Sequence, residues 1–224
     1  RFKLIQGNFR DLQMVVIGQK FSGVYFDLGV SSLQLDAPSR GFSFSKVAPL
    51  DMRMDPKLQV TASDLLKALN KGELYEIFFK YGEEKYSRRL ADVIVGSRQM
   101  INSTKSLADL VENYYRKKGL RRGKIHPATK IFQALRIVVN DELNALKEAL
   151  PQALEVVKNG SGIAVLSFHS LEDRIVKEYF REWQSKGLGV ILTKKPVGPE
   201  ELEVMSNSRS RSARLRAFQK NYVY

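Results

Sequence analysis

Early in the chain stands Val24-Tyr25-Phe26-Asp27-Leu28-Gly29-Val30-Ser31-Ser32-Leu33-Gln34-Leu35-Asp36. The apolar run 24–26 stops at a carboxylate. A glycine, two serines and a glutamine follow. An apolar run of that length, bounded by turn residues, reads as a buried strand. In open α/β sheets, ligands lie beyond the carboxyl ends of the strands. Asp27 therefore stands where a ligand would be, and Gly29 lets the backbone turn close beside it. Taken alone, the same pattern also describes an ordinary strand end with a turn. The residues further out choose between the two.

A second buried strand is expected over 163–168. It ends in Ser167-Phe168-His169-Ser170, with Ser170 placed to cap a following helix. Late strands are expected at 190–193 and 215–222, with a short helix from Pro199-Glu200-Glu201 between them. At the other end, Phe2-Lys3-Leu4-Ile5 reads as a strand in progress, and 11–17 as a short helix. Arg1 does not look like a natural start, so the chain is expected to begin inside a domain.

The middle is helical. Thr61-Ala62-Ser63-Asp64 resembles a capping box with Asp in the usual Glu or Gln place. Leu65, Leu66 and Leu69 follow at helical spacing. A second helix is expected over 73–81, ending at Gly82. Residues 84–101 and 106–118 carry apolar stripes through Tyr86, Leu90, Val93 and Ile94, and through Leu107, Leu110, Val111 and Tyr114. The tyrosines and phenylalanines here read as core rather than as base-stacking groups. Pro127 suits a first helical turn, and apolar residues from Phe132 to Leu146 carry one long helix to about 150. Pro151 is expected to start a further turn, with Gly160 as its C-cap. The pattern predicts an α/β domain interrupted by a helical insertion. Its boundaries are 1–56 and 126–224 for the α/β domain, and 57–125 for the insertion.

The 224 residues are enough for a sizeable core. Cysteine is absent, which excludes disulfides, thiolate metal sites and a cysteine nucleophile from these residues. With two histidines and no HExxH, no metal site is expected. No apolar run approaches the roughly 20 residues of a membrane span. The net charge of +13 points to a polyanionic partner. Its distribution strengthens that. Residues 113–140 hold eight Lys or Arg and no acid, and 206–224 hold five more and again no acid. The densest part is Lys117, Lys118, Arg121, Arg122 and Lys124, in or beside a loop between Gly119 and Gly123. One-sign blocks of this kind suit a phosphate backbone, so these five are the candidate nucleic-acid-binding residues.

Eight patches in order resemble the RsmH (MraW) family: GNFRDL (7–12), FDLGVSSLQLD (26–36), RGFSF (40–44), PLDMRMD (49–55), YGEEKYSRRLA (81–91), KIHPATKIFQALRIVVNDEL (124–143), LSFHSLEDRIVK (166–177) and SRSRSARLR (208–216). The resemblance spans nearly the whole chain. These are S-adenosylmethionine-dependent methyltransferases acting on N4 of a cytosine in the decoding region of bacterial small-subunit (16S) ribosomal RNA. The resemblance implies a Rossmann-like methyltransferase sheet with an inserted all-helical, substrate-binding domain. It implies that Phe9, Asp27 and Gln34 contact the cofactor, S-adenosyl-L-methionine. The substrate would be 16S rRNA within the small ribosomal subunit, which makes Lys117, Lys118, Arg121, Arg122 and Lys124 candidate RNA-binding residues. The location would be cytoplasmic, and a homodimer is left open. The family's N-terminal part, with a Gly-Gly-His loop and an acidic residue that approach the cofactor, is expected to lie upstream of Arg1. The chain alone is therefore expected to be inactive. Ser208 stands where family members commonly have proline.

Methylation at cytosine C5 needs a nucleophile that adds to C6, usually a cysteine, and this chain has none. N4 is an exocyclic amine that can attack a methylsulfonium directly if held in line and hydrogen-bonded. The Asp27 carboxylate, a carbonyl at 28–30 or Ser31 could accept those bonds, which makes Asp27 and Ser31 the candidate catalytic residues. His169 is the tempting base. A loop-ordering or backbone-contacting role fits better, since the reaction lacks a demanding proton abstraction. Asp51, Arg53 and Asp55 read as a salt-bridged loop, or as the wall of a pocket for a flipped-out base. Two other readings are an RNA-binding or ribosome-assembly factor without catalysis, and a DNA N4-cytosine or N6-adenine methyltransferase. The latter typically carry Asp/Ser/Asn-Pro-Pro-Tyr/Trp where this chain has Asp27-Leu28-Gly29-Val30.

Overall fold

A computed structural model describes residues 2–120 and 125–221. In chain order the elements are α1 (Leu12–Val15), β1 (Phe21–Asp27), α2 (Ser32–Asp36), α3 (Ala62–Ala68), α4 (Lys71–Lys80), α5 (Ser87–Gly96), α6 (Thr104–Lys117), α7 (Ala128–Asn140), α8 (Glu142–Val156), β2 (Val157–Ser167), α9 (Ser170–Ser185), β3 (Gly189–Ile191), α10 (Glu201–Ser206) and β4 (Arg214–Lys220). Short 3-10 turns lie at Phe9–Asp11, Pro38–Arg40, Arg98–Met100 and Ser208–Ser212. The fold is α/β, and it divides into two compact units: Arg1–Gly29 with Glu142–Tyr224, and Val30–Asp141.

The first unit holds a four-stranded sheet in the order β1-β2-β4-β3. β1 and β2 are parallel, with Phe26 beside Val165 and Asp27 beside Leu166. β4 is antiparallel to both of its neighbours. Alternation along the strands sends Phe26, Ile163, Val165 and Phe218 into a core completed by Leu146, Leu150 and Ala153 of α8 and Val176, Phe180 and Trp183 of α9. Phe180, Trp183 and Phe218 meet pairwise with ring centroids 5.3–5.5 Å apart, the spacing at which aromatic pairs add to plain area burial.

The second unit is helical. Leu74, Phe78, Leu90, Ile94, Leu107, Val111, Ile131 and Leu135 share one core. Thr61 and Asp64 form the expected capping box of α3: Asp64 N donates to the Thr61 hydroxyl at 3.2 Å, and Thr61 N donates to the Asp64 carboxylate at 2.9 Å. The Thr61 hydroxyl, donating at 2.6 Å, and the Thr61 N–H hold the Asp64 carboxyl below its ordinary pKa. Glu84, 1% exposed, ties helices together. It accepts from Tyr115 Oη at 2.7 Å and from Tyr86 N at 2.9 Å, and Lys130 Nζ stands 3.8 Å away. Burial and this carboxylate push the Tyr115 hydroxyl well above its ordinary value. A side chain at Gly82 would strike the carbonyls of Phe78 and Lys130 at 2.7 and 2.8 Å, so the Tyr81–Tyr86 corner has room only for glycine there.

Residues 40–54 fold back on themselves in this unit. Arg40 Nη2 donates to the carbonyls of Arg53 (2.6 Å) and Met54 (2.8 Å), and Met52 N donates to Arg40 O at 3.0 Å. Gly41, at φ +69°, lies where a Cβ would come 2.3 Å from Pro49 O. Asn140 closes the loop: its Nδ2 donates to Met52 O and its Oδ1 accepts from Met54 N. These bonds hold buried Met52 at φ +62°, a conformation that costs a non-glycine residue about 1–3 kcal/mol.

Several expectations fail for local reasons. Residues 2–6 form no strand; Phe2 and Leu4 are 96% and 91% exposed and pair with nothing among the described residues. A strand needs a neighbour to take its N–H and C=O groups. The single helix expected from Pro127 to about 150 is two helices, because Asp141 turns left-handed at φ +50° between α7 and α8. Pro151 sits inside α8 instead of starting a turn. Proline has no N–H for the carbonyl four residues back, and here that carbonyl, Lys147 O, accepts from Tyr179 Oη at 3.0 Å. Gly160 caps no helix. It lies in β2 at φ +75°, where the β1–β2 register slips between the Phe21–Val157 and Gly23–Gly162 pairs. Phe79 lies on the surface, 55% exposed, whereas its neighbour Phe78 is in the core.

Candidate active site

β1 delivers Asp27 to the carboxyl end of the sheet. Its inward neighbours Phe26 and Leu28 are buried and its own side chain is exposed. Leu28 N donates to Leu166 O at 3.0 Å, so pairing with β2 continues one residue past the carboxylate. Gly29 then turns at φ +89°, against the Phe168 ring. Among the described residues the Asp27 carboxylate has no side-chain hydrogen bond. Burial, and to a lesser extent the Asp27 charge, raise the Tyr25 hydroxyl above its ordinary pKa; the two residues share one face of the strand.

Phe9 reaches the same strand from the 3-10 turn Phe9–Asp11, capped by Asn8, whose Oδ1 accepts from Arg10 N at 3.0 Å. Its ring stands edge-on to Phe26, centroids 6.0 Å apart and planes at 81°, and remains 39% exposed. Gln152 of α8 anchors the turn: its Nε2 donates to Arg10 O and its Oε1 accepts from Gln13 N. The end of β1 thus carries a partly exposed aromatic ring packed on Phe26 and, on the next residue, an unengaged carboxylate on the opposite face of the strand. The carboxylate offers acceptors and the ring an apolar face, which suits an adenosyl group carrying N–H and O–H donors.

Ser31 and Gln34 belong to the helical unit and are bonded to each other. Gln34 N donates to Ser31 Oγ at 3.2 Å and Ser31 N donates to Gln34 Oε1 at 3.0 Å, the reciprocal capping box of α2. Among the described residues, the Ser31 proton and the Gln34 amide NH2 group are left for other partners.

At the end of β2 the chain is closed up. Ser167 Oγ donates to Arg214 O at 3.2 Å. The cap of α9 is His169, not Ser170. His169 Nδ1 accepts from Glu172 N at 3.3 Å, and the Glu172 carboxylate accepts from Phe168 N and His169 N at 2.9 and 3.2 Å. Glu142, His169 and Glu172 bring one potential metal ligand each within 4.8 Å of one another. With Nδ1 accepting, the neutral imidazole carries its hydrogen on Nε2, 3.4 Å from Glu172 Oε1. The ring thus points a donor, rather than a lone pair, at the acid, and His169 and Glu172 together cap α9. One residue on, Asp173 takes Arg216 in a two-pronged bond (2.6 and 3.1 Å), and Arg214 lies 3.4 Å away. Burial alone would raise the Asp173 carboxyl; the two arginines outweigh it and hold it below its ordinary pKa.

Of the basic candidates, Lys117 ends α6 and Lys118 is its C-cap, both exposed. Arg121, Arg122 and Lys124 lie outside the described residues. Asp51 and Arg53 make a two-pronged salt bridge, with Nε–Oδ1 at 2.7 Å, whose hydrogen bonds lower the Asp51 carboxyl. Asp55 instead accepts from Lys57 N at 2.9 Å. Among the described residues no helix is long and apolar enough to cross a membrane.

Sequence reasoning read Ser31 and Gln34 for chemistry and missed their mutual cap, although S-x-x-Q is a recognisable helix-start signal. It also missed the exposure of Phe79, for which the signal was two adjacent aromatic residues on one helix, of which only one can face a core.

The chain is similar to proteins named ribosomal RNA small subunit methyltransferase H. It is 50% identical to the one from Persephonella marina over 221 residues, covering 96% of this chain and 75% of that protein. It is 45% identical to that of Coprothermobacter proteolyticus (97% and 73% covered) and 48% identical to that of Nostoc punctiforme (98% and 72%). The sequence profile described as the MraW methylase family matches residues 1–221. With its sheet, its exposed strand-end carboxylate and this match over nearly its whole length, the chain belongs to the MraW methylase family.

Proposed function

We propose that this protein transfers a methyl group from S-adenosyl-L-methionine to the exocyclic N4 of a cytosine in the decoding region of small-subunit (16S) rRNA. The observation that carries the reading is Asp27, exposed and unengaged at the carboxyl end of β1, in a chain of the MraW methylase family. Bound there, S-adenosylmethionine supplies an electrophilic methyl on sulfur. Phe9 would offer an aromatic face to the adenine, and Asp27 and Gln34 would offer polar contacts. Asp27 or Ser31 would accept a hydrogen bond from the cytosine NH2, orienting its nitrogen toward the methyl group and drawing density onto it. No strong base is needed, since the product's extra proton can leave to water. No residue of this chain is a cysteine, so none can add to C6 as C5 methylation requires.

Residues 57–125 would bind the RNA substrate. Lys117, Lys118, Arg121, Arg122 and Lys124 are proposed to neutralise phosphates, with counterion release giving a salt-dependent affinity. The curved loop from Arg40 to Met54, with the Asp51–Arg53 pair, would shape the pocket for the flipped-out base. Such a substrate places the protein in the cytoplasm.

The test is methyl transfer from radiolabelled S-adenosylmethionine to unmodified small ribosomal subunits, followed by nucleoside mass spectrometry. N4-methylcytidine is the expected product. Label in 5-methylcytidine or on ribose would overturn the N4 assignment, and no transfer to rRNA would favour a non-catalytic RNA-binding factor.

A further inference from the structure

We propose that α4 and α5 form a base-stacking platform for single-stranded RNA, built on Tyr75, Phe79 and Arg88. The inference deepens the rRNA reading above and rests on it. Tyr75 and Phe79 are one helical turn apart on α4, so their side chains lie on one face. Their rings are stacked, with centroids 5.8 Å apart and planes 24° from parallel. Phe78 supplies the aromatic packing of the core from the same helix and is fully buried, while Phe79 is more than half exposed. Phe79 thus adds little to the core that Phe78 already fills. The Arg88 guanidinium, from α5, stands 5.3 Å from the Tyr75 centroid.

The charges around the rings explain the choice of partner. All three acids on these helices are engaged elsewhere. Glu76 bonds Lys80 at 2.9 Å, and Asp92 lies 3.9 Å from both Lys71 and Arg89. Glu73 accepts from Asn70 N in the α4 cap. Arg88 has no carboxylate partner among the described residues and faces a ring instead. A flat aromatic pair flanked by an arginine without a counter-charge matches a base with its phosphate: the base stacks on the ring, and the cation meets the backbone. An acidic or apolar protein surface would use only half of these features. A single strand is specified because bases within a duplex are stacked on each other and present no free face.

The experiment titrates the full chain with a small-subunit rRNA fragment and with an unstructured oligouridylate at several salt concentrations. Phe79→Ala is expected to weaken both by about tenfold, and Phe79→Tyr to stay close to the parent, since stacking tolerates either ring. Arg88→Ala should lower affinity and reduce the salt slope by about one. Phe79→Trp adds a second, exposed tryptophan to a chain whose own Trp183 is buried, and its emission should be quenched by the oligouridylate. Parent affinity for Phe79→Ala, with the rRNA fragment still bound, overturns the platform and leaves the rRNA reading standing. A parent chain that binds no rRNA overturns both. Loss of a dimer in Phe79→Ala with RNA affinity unchanged also overturns it, and assigns the face to a second copy of the chain.

Discussion

The two parallel strands of the sheet end side by side and end differently. β1 stops at Asp27, exposed and without a side-chain hydrogen bond among the described residues. β2 stops at Ser167, buried, and polar groups there are bonded to one another or to β4: Ser167 to Arg214, Glu172 to Phe168 and His169, Asp173 to Arg216. Both ends carry carboxylates. At β2 the Glu172 and Asp173 carboxylates accept from backbone N–H groups and from Arg216, and these acids serve the fold. At β1 the lone pairs face outward, and an acid there is free to serve a ligand. Chemistry at a strand end is thus marked by what the fold leaves unbonded, not by which residue types are present.

The comparison breaks most visibly on Asp173. Asp173→Asn leaves Arg216 buried without its counter-charge and should cost about 3–5 kcal/mol in thermal unfolding. Replacing both partners, with Asp173→Leu and Arg216→Met, should cost less than the single change. A larger loss in the double variant would mean that the pair itself, rather than its desolvation, stabilises the sheet. Because the folded carboxyl has a lowered pKa, its contribution is present above the ordinary carboxylate range, about pH 4. It is lost as pH falls through the lower folded value. The gap between parent and Asp173→Asn should therefore close in acid.

Asp27→Ala should do the reverse. Unfolding should move by less than about 0.5 kcal/mol, as for a surface change, while methyl transfer to small ribosomal subunits falls by about a hundredfold or more. Near-parent turnover would remove Asp27 from the site.

The smallest effect separates cap from base at His169. Asparagine caps helices well but cannot act as a base. His169→Asn should keep both stability and transfer close to the parent, while His169→Ala should cost about 1 kcal/mol of stability. A base at this position would lose at least about a hundredfold in both variants.

Much of this was legible before any coordinates. The run 24–26 ending in a carboxylate, the run 163–168, the late strand at 215–222 and the Thr61–Asp64 cap are local signals, written within a few residues by hydropathy period and hydrogen-bonding side chains. The strand at β1 extends three residues further upstream, to Phe21, where exposed Ser22 and Gly23 hide it from a hydropathy reading. Other features could not be read because a distant partner creates them. Pro151 is tolerated inside α8 because Tyr179, 28 residues on, satisfies the carbonyl that proline strands. The left-handed turn at Asp141 is invisible in a pattern whose apolar residues continue on both sides.

The sequence by itself determined the α/β class, the positions of most helices, the carboxylate at the end of β1 and the family, because each rests on residues near in the chain or on motifs in fixed order. Only the tertiary structure decided which polar residues are engaged. Ser31 and Gln34 bond each other, His169 caps α9, Asp173 pairs with Arg216, and Asp27 stays open. Whether a donor or acceptor is free depends on what folding brings within about 3 Å of it, and that distance is set by packing between segments far apart in the chain.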